Sequence, residues 1–257
     1  MMEPDPPNPY AAPETRECAV EPSPGLLPAG PYGPYRDNQR LCGWLVGLLA
    51  VGILFHTSRA VVNLLYTLSE GTIDEELSVK IEQIFGLTGL TGLACMILFG
   101  VWIVRSGKNA WLFSNLARQS GTSRPGFAPP FLQNTPGWAV GWYFIPIANF
   151  WKPYGAMKEI VQASSVRESL AASLLPTWWT LWLASLIFDR VIRVVDRSET
   201  EWDAIQLAVI WTTASGIEIA LHLIAIVLVS GVTRVQSDAA STLAAPDFSA
   251  SGPPEPA

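Results

Sequence analysis

Residues 84–104 read IFGLTGLTGLACMILFGVWIV, 21 consecutive residues without a charge. A helix advances about 1.5 Å per residue, so this stretch covers the hydrocarbon core of a bilayer, roughly 30 Å thick. Three further apolar segments accompany it. Segment 41–67 opens with fifteen apolar or small residues and continues through His56, Arg59 and Asn63. Segment 173–195 begins SLLPTWWTLWLASLIF and ends in Asp189, Arg190 and Arg193. Segment 205–233, IQLAVIWTTASGIEIALHLIAIVLVSGVT, is interrupted only by Glu218 and His222. Lipid offers no partners for backbone polar groups, and a helix satisfies its own. The pattern therefore predicts an all-α integral membrane protein, a bundle of four transmembrane helices forming a membrane domain over 41–236.

Composition agrees. Charged residues make up 15% of the chain and apolar ones 49%, against a usual quarter charged. The net charge of −6 provides no basic field for nucleic acid, so no nucleic-acid partner is expected. Cys18, Cys42 and Cys95 show neither CxxC spacing nor an even-numbered framework, which argues against a disulfide scaffold or a zinc motif. The first apolar block begins at Leu41 behind a polar stretch, so the first span is expected to act as its own uncleaved membrane signal.

Outside the domain lie two tails. Residues 1–40 hold ten prolines and too little apolar surface to offset ordering entropy, which predicts a disordered cytoplasmic tail. The Pro-Tyr-Gly-Pro-Tyr run at 31–35 reads as solvated tail before it reads as a polyproline ligand. Residues 237–257, rich in Ser, Ala and Pro, are expected to be disordered as well.

A fifth block, GWAVGWYFIPIANFW at 137–151, is too short to span comfortably: fifteen helical residues reach only about 22 Å. Pro146 removes a backbone donor in its middle. Its tryptophans and tyrosine suit the headgroup level, so a short aromatic re-entrant or interfacial helix is expected, with a tilted fifth span as the alternative. The stretch 105–170 carries seven basic and two acidic residues, and loop 68–83 carries five acidic and one basic. The positive-inside rule then places 105–170 and both termini in the cytoplasm of a multi-pass cell-membrane protein. Arg105, Lys108, Lys152 and Lys158 could draw anionic lipid headgroups, and ordinary positive-inside topology explains them equally well.

Residues 99–165 carry a specific pattern. Trp102, Arg105, Asn109 and Ala110 form a Trp-x-x-Arg-x-x-x-Asn-Ala stretch. It is followed by Pro136, Trp138, Gly141 and Trp142, and then by Phe144, Ile145, Pro146, Asn149, Trp151 and Pro153. This run resembles the bacterial membrane family called domain of unknown function 4328. The resemblance implies membrane location and one cytoplasmic-side element, and lends no activity. A departure is Val161-Gln162, where the family often has a Trp shortly before the Ala-Ser at 163–164; weaker docking of that helix is the expectation. Asn149 is expected to satisfy carbonyls freed by Pro146, and aromatic anchoring is favoured over a ligand site.

Ionisable groups at bilayer depth are the remaining signal. His56, Arg59 and Asn63 share one helix face, and Ser215, Glu218 and His222 repeat the spacing. A lone charge there costs at least roughly 2.5–3.5 kcal/mol on insertion scales, so Arg59 and Glu218 are expected to pair across antiparallel helices. A structural polar seam is the leading reading. Beside it stand a proton or ion relay through His56, Glu218 and His222, and snorkelling of Arg59 or His56 to an interface. Glu218 and the two histidines offer three metal ligands, but the sequence alone gives no reason for them to converge; no metal and no cofactor is expected. There is no HExxH, no G-x-S-x-G and no Gly-rich phosphate loop. Gly86, Gly89 and Gly92 are read as permitting close helix approach. The chain is thus expected to be non-enzymatic, acting through lipid or protein contacts, with a small transporter or ion-conducting protein using the Arg/Glu/His seam as the alternative.

Overall fold

The computed structural model describes residues 27, 29–68, 75–119, 132–164, 170–197 and 202–244. The stretch up to residue 26 and the tail after residue 244, both expected to be disordered, lie outside these. Among the described residues, six α-helices follow in order: α1 (Gln39–Leu68), α2 (Glu75–Gln119), α3 (Pro136–Gly141), α4 (Lys152–Ala163), α5 (Leu170–Arg197) and α6 (Ala204–Ala244). Four of them, α1, α2, α5 and α6, are long and apolar enough to cross a membrane, in agreement with the four spans read from the sequence. Their outer surfaces carry exposed Leu54, Val61, Leu64, Leu90, Ile97, Ile187 and Val209, the side chains that a lipid-facing helix presents.

Helices α1 and α6 form the central pair, with α2 packed on α1 and α5 on α6. Buried Leu45, Leu49, Leu228, Val229 and Val232 fill the seam, and Trp102, Met157, Ile160, Leu175 and Trp178 extend it under α2, α4 and α5. Close approach between α5 and α6 occurs at Gly231, where an added Cβ would stand 2.9 Å from the Ala171 Cβ. Among the described residues, nothing lies within 4 Å of a Cβ built on Gly89 or Gly92, and Gly86, read with them, lies outside the described side chains.

Two helices outrun their apolar segments. Helix α2 has 45 residues where 84–104 was expected to span, and α6 has 41 and runs eight residues beyond Gln236 into the expected tail. Hydropathy marks only the part of a helix that lipid covers. Backbone hydrogen bonding continues past it wherever side chains still find something to pack on, as Ala240 does.

The fifth block is not one helix. Helix α3 ends at Gly141 and gives way to two single 3₁₀ turns, Trp142–Phe144 and Ala148–Phe150. Pro146 is the reason: the residue before a proline is driven out of the α region, and Ile145 is extended at φ −97°, ψ 112°. The tip so formed exposes Phe144 at 70% and Ile147 at 72%.

The largest correction concerns residues 29–38, expected to be part of a disordered tail. They form a strap along the extension of α2. Gly30 and Gly33 bond to each other through both backbone pairs at 3.0 Å, a turn closed by Gly33 at φ 104°, which L side chains rarely adopt. At Gly30 the backbone lies so close to α2 that a Cβ would stand 3.1 Å from the Leu112 Cα. Tyr32 meets the edge of Trp111 at 5.5 Å between centroids, and Tyr35 packs on Phe113 at 6.1 Å. Burial pushes the Tyr35 phenol above its usual range, and nearby Asp37 adds to the effect.

Candidate functional site

The sequence placed polar groups in two regions, and the structure resolves them into two separate sites at opposite ends of the α1–α6 pair. The first is a cavity of about 300 Å³ between α1, α5 and α6. Its walls include His56 and Arg59 from α1, Asp189 and Arg193 from α5, and Ser215 and Glu218 from α6. Five of the six seam residues gather here: His56, Arg59, Ser215 and Glu218 line the cavity, and His222 stands one turn behind Glu218 against α1. The sixth, Asn63, lies a turn beyond Arg59, its amide nitrogen buried without a hydrogen-bond partner.

Arg59 and Glu218 do face the same cavity. A contact that fixes the guanidinium is to an aromatic face, with its carbon 3.7 Å from the centroid of the Trp211 ring; a cation is attracted to the ring quadrupole, most strongly where water is scarce. The α5 contribution was missed in the sequence. Ser185, Asp189 and Arg193 repeat every four residues, so they form a stripe on one face, but two charges near the end of an apolar segment read as its boundary.

His222 is held by its own helix. Its Nδ1 lies 2.7 Å from the Glu218 carbonyl oxygen and 3.8 Å from Glu218 Oε2. The ring fills the space that Gly52 leaves on α1: an added Cβ there would stand 2.6 Å from His222 Nε2. The imidazoles of His56 and His222 are 5.3 Å apart, centroid to centroid. Gly52→Ala is therefore expected to displace the ring and cost about 1–3 kcal/mol by overpacking. Gly47→Ala, with nothing within 4 Å of its Cβ, should be neutral or gain up to about 1 kcal/mol of helix propensity. Thermal melting of the two variants in detergent checks the contrast.

The second site is a buried hydrogen-bond network at the other end. Asn109 clamps the strap backbone in both directions: its Oδ1 accepts from the Arg36 N–H at 3.1 Å and its Nδ2 donates to the Arg36 carbonyl at 2.9 Å. The same Nδ2 donates to Gln236 Oε1 at 3.1 Å. Gln236 Nε2 then donates to the Ser106 carbonyl at 3.0 Å and to Ser164 Oγ at 2.8 Å. Asn38 Nδ2 donates to Ser106 Oγ at 3.1 Å, and Trp102 Nε1 to Thr233 Oγ1 at 2.9 Å. One network thus ties together the strap, α2, α4 and α6. Arg105 sits half-buried on the same helix and takes no part in it.

The aromatic run is held beside this network. Pro136 is buried at the start of α3, whose cap is Thr135. Trp138 and Trp142 pack with centroids 4.8 Å apart, over Gly141, where a Cβ would stand 3.1 Å from the Trp138 ring. Trp142 Nε1 donates to Asn134 Oδ1 at 2.8 Å, and Asn134 Nδ2 donates to Glu159 Oε1 at 2.9 Å. Pro146 and Trp151 are exposed, and Pro153 is buried in the first turn of α4. The Asn149 backbone N–H closes on the Ile145 carbonyl at 2.8 Å, and its side-chain oxygen is buried without a hydrogen-bond partner. Val161, which departs from the expected pattern, is 2% exposed and packs within the core, so α4 docks without the tryptophan.

Four spans closed by a polar network at one end and opened by a charged cavity at the other define a multi-pass α-helical membrane protein. The model for a domain of unknown function (DUF4328) matches residues 72–234, and the chain belongs to that family. The match takes in α2 through most of α6, including the whole aromatic run and Glu218, and leaves out α1 with His56 and Arg59. No curated protein and no solved structure matches the chain.

Proposed function

We propose that the protein is a non-enzymatic membrane protein that handles a small ion or proton through the cavity between α1, α5 and α6. The observation that carries this reading is the gathering of His56, Arg59, Asp189, Arg193 and Glu218 around one cavity. Ionisable groups at this depth are costly, and in membrane proteins they mark ion and proton pathways by default. A purely structural seam needs no cavity, since paired charges gain most when packed tightly and fully hydrogen-bonded. With both termini cytoplasmic, as the basic stretch 105–170 argues, the cavity lies in the outer half of the bilayer. The network then seals the inner end.

Reconstituted into proteoliposomes, the protein is expected to show ion- or pH-driven flux that Glu218→Gln reduces to the level of empty vesicles. Absence of flux in the parent chain, or unchanged flux in the variant, would sink the transport reading. A second reading, action through lipid contacts, is favoured by the exposed tip around Pro146, with Phe144, Ile147 and Trp151 outward and Lys152 5.2 Å from the Trp142 ring. Apolar side chains on a rigid turn beside a cation suit the headgroup boundary.

A further inference from the structure

We propose that His56, Glu218 and His222 form a binding site for a divalent first-row transition-metal ion of the zinc type, which deepens the cavity reading by naming its ligand. One ring nitrogen of each histidine and one Glu218 carboxylate oxygen all lie within 4.8 Å of one another. Donors around a four-coordinate ion held by bonds of about 2.0–2.2 Å stand a little over 3 Å apart, and small χ rotations close the difference. Two imidazoles and one carboxylate select zinc, cobalt or nickel over magnesium or calcium, which take oxygen donors.

Three features make the site more than a chance grouping. The His222 ring is fixed by its Nδ1 contact of 2.7 Å to the Glu218 carbonyl. That contact assigns the proton to Nδ1 and leaves the Nε2 lone pair free, the arrangement by which metal-binding histidines are usually oriented. Nε2 faces α1 beside Gly52, and His56 follows one turn along that helix. The absent side chain at Gly52 is what lets the ring reach α1 at all. Finally, His56 and Glu218 line the cavity while His222 stands behind them. An ion held by these three donors would therefore border the cavity on the His56 and Glu218 side, where a fourth, exchangeable ligand could reach it. The Glu218 carboxylate offsets part of the ion's charge, and Asp189 across the cavity offsets more. Arg59, which lines the same cavity, stacks its guanidinium on Trp211.

The test uses the full chain in detergent, purified without a histidine tag and titrated with Zn²⁺ by calorimetry, with bound metal counted after dialysis. One Zn²⁺ per chain is expected, and His56→Gln, His222→Gln and Glu218→Gln should each bind at least about tenfold more weakly. X-ray absorption of the loaded parent chain provides an arm that needs no variant: it should show two imidazoles and oxygen neighbours around the ion. No retained metal, a sulfur-containing environment, or histidine variants that bind as tightly as the parent would overturn the site. The two readings fail separately. Flux that depends on Glu218 in a protein that binds no Zn²⁺ removes the metal and leaves the cavity reading, whereas stoichiometric Zn²⁺ without flux does the reverse.

Discussion

Gln236→Ala is expected to lower stability by about 2–4 kcal/mol, the cost of leaving buried partners unpaired together with a small void. Gln236 is 1% exposed and uses both ends of its amide. Removing it strips the Asn109 Nδ2 of one acceptor and takes a donor from the Ser106 carbonyl and from Ser164 Oγ. Ser164 keeps its bond to the Ile160 carbonyl at 2.7 Å, so the main loss falls on Asn109 and Ser106. Gln236→Glu is nearly isosteric and should be worse than the alanine. It replaces the amide donor by a second acceptor directed at the Ser106 carbonyl, and a buried carboxylate without a cation either stays neutral or repels. Asn109→Ala breaks the same network and also frees the strap. The double variant Asn109→Ala/Gln236→Ala should therefore lose less than the sum of the singles, with a coupling of about 0.5–3 kcal/mol. Denaturant or thermal unfolding in detergent reads all four chains. Additive losses would show that the two amides act independently and that the network does not lock the strap to α6.

The sequence made the spans legible because lipid imposes a single strong demand, a run of apolar residues long enough to cross it. Segment 84–104 satisfied that demand without ambiguity. What lies beyond the lipid was harder to read. The network sits on stretches where hydropathy has already dropped, at Ser106, Asn109 and Gln236. Polar residues there look like solvated helix ends until a partner from 198 residues away, such as the Ser237 hydroxyl that accepts from Gln39 Nε2 at 3.0 Å, shows that the ends pack together. The strap was misread for a related reason. Pro and Gly at 30–34 signal low order in isolation, and only the spacing of Tyr32 and Tyr35 hinted at a surface to receive them. The seam was read in part: helical spacing put His56 with Arg59 and Glu218 with His222, but periodicity within one helix cannot say which rotation faces a neighbour. Asn63 shares the face by spacing and falls outside the cavity. Gly52, which lets His222 approach α1, carries no signal of its own in an apolar run that also contains Gly43 and Gly47.

Trp102→Ala should be the most damaging single change in the spanning helices, at about 3–5 kcal/mol for the loss of a large buried aromatic. Trp102 is fully buried at 0% exposure. It stacks on Phe99 at 5.8 Å, and Phe99 in turn contacts Trp178 on α5, also at 5.8 Å. That ladder continues through Trp179 to Trp182, whose rings stack at 4.7 Å, so the void would open beneath several rings at once. Phe in its place separates packing from hydrogen bonding. Trp102→Phe keeps most of the ring and forfeits the 2.9 Å bond to Thr233 Oγ1. Interhelical hydrogen bonds in membrane proteins average about 0.6 kcal/mol and reach about 1.7, so this variant should lose about 1–2 kcal/mol once the smaller ring is counted. Thr233→Val removes the acceptor instead and leaves the indole N–H buried and unpaired, at about 1–3 kcal/mol. Combining Trp102→Phe with Thr233→Val deletes both partners, and the pair should recover most of the hydrogen-bond loss because no orphaned group remains. Melting of the four chains decides the matter. If the double variant is as unstable as the two singles added together, the bond contributes nothing and Trp102 acts only through its volume. If it recovers, the indole N–H ties α2 to α6 one turn from Gln236, and the lock at this end of the bundle extends from the strap into the core of the spans.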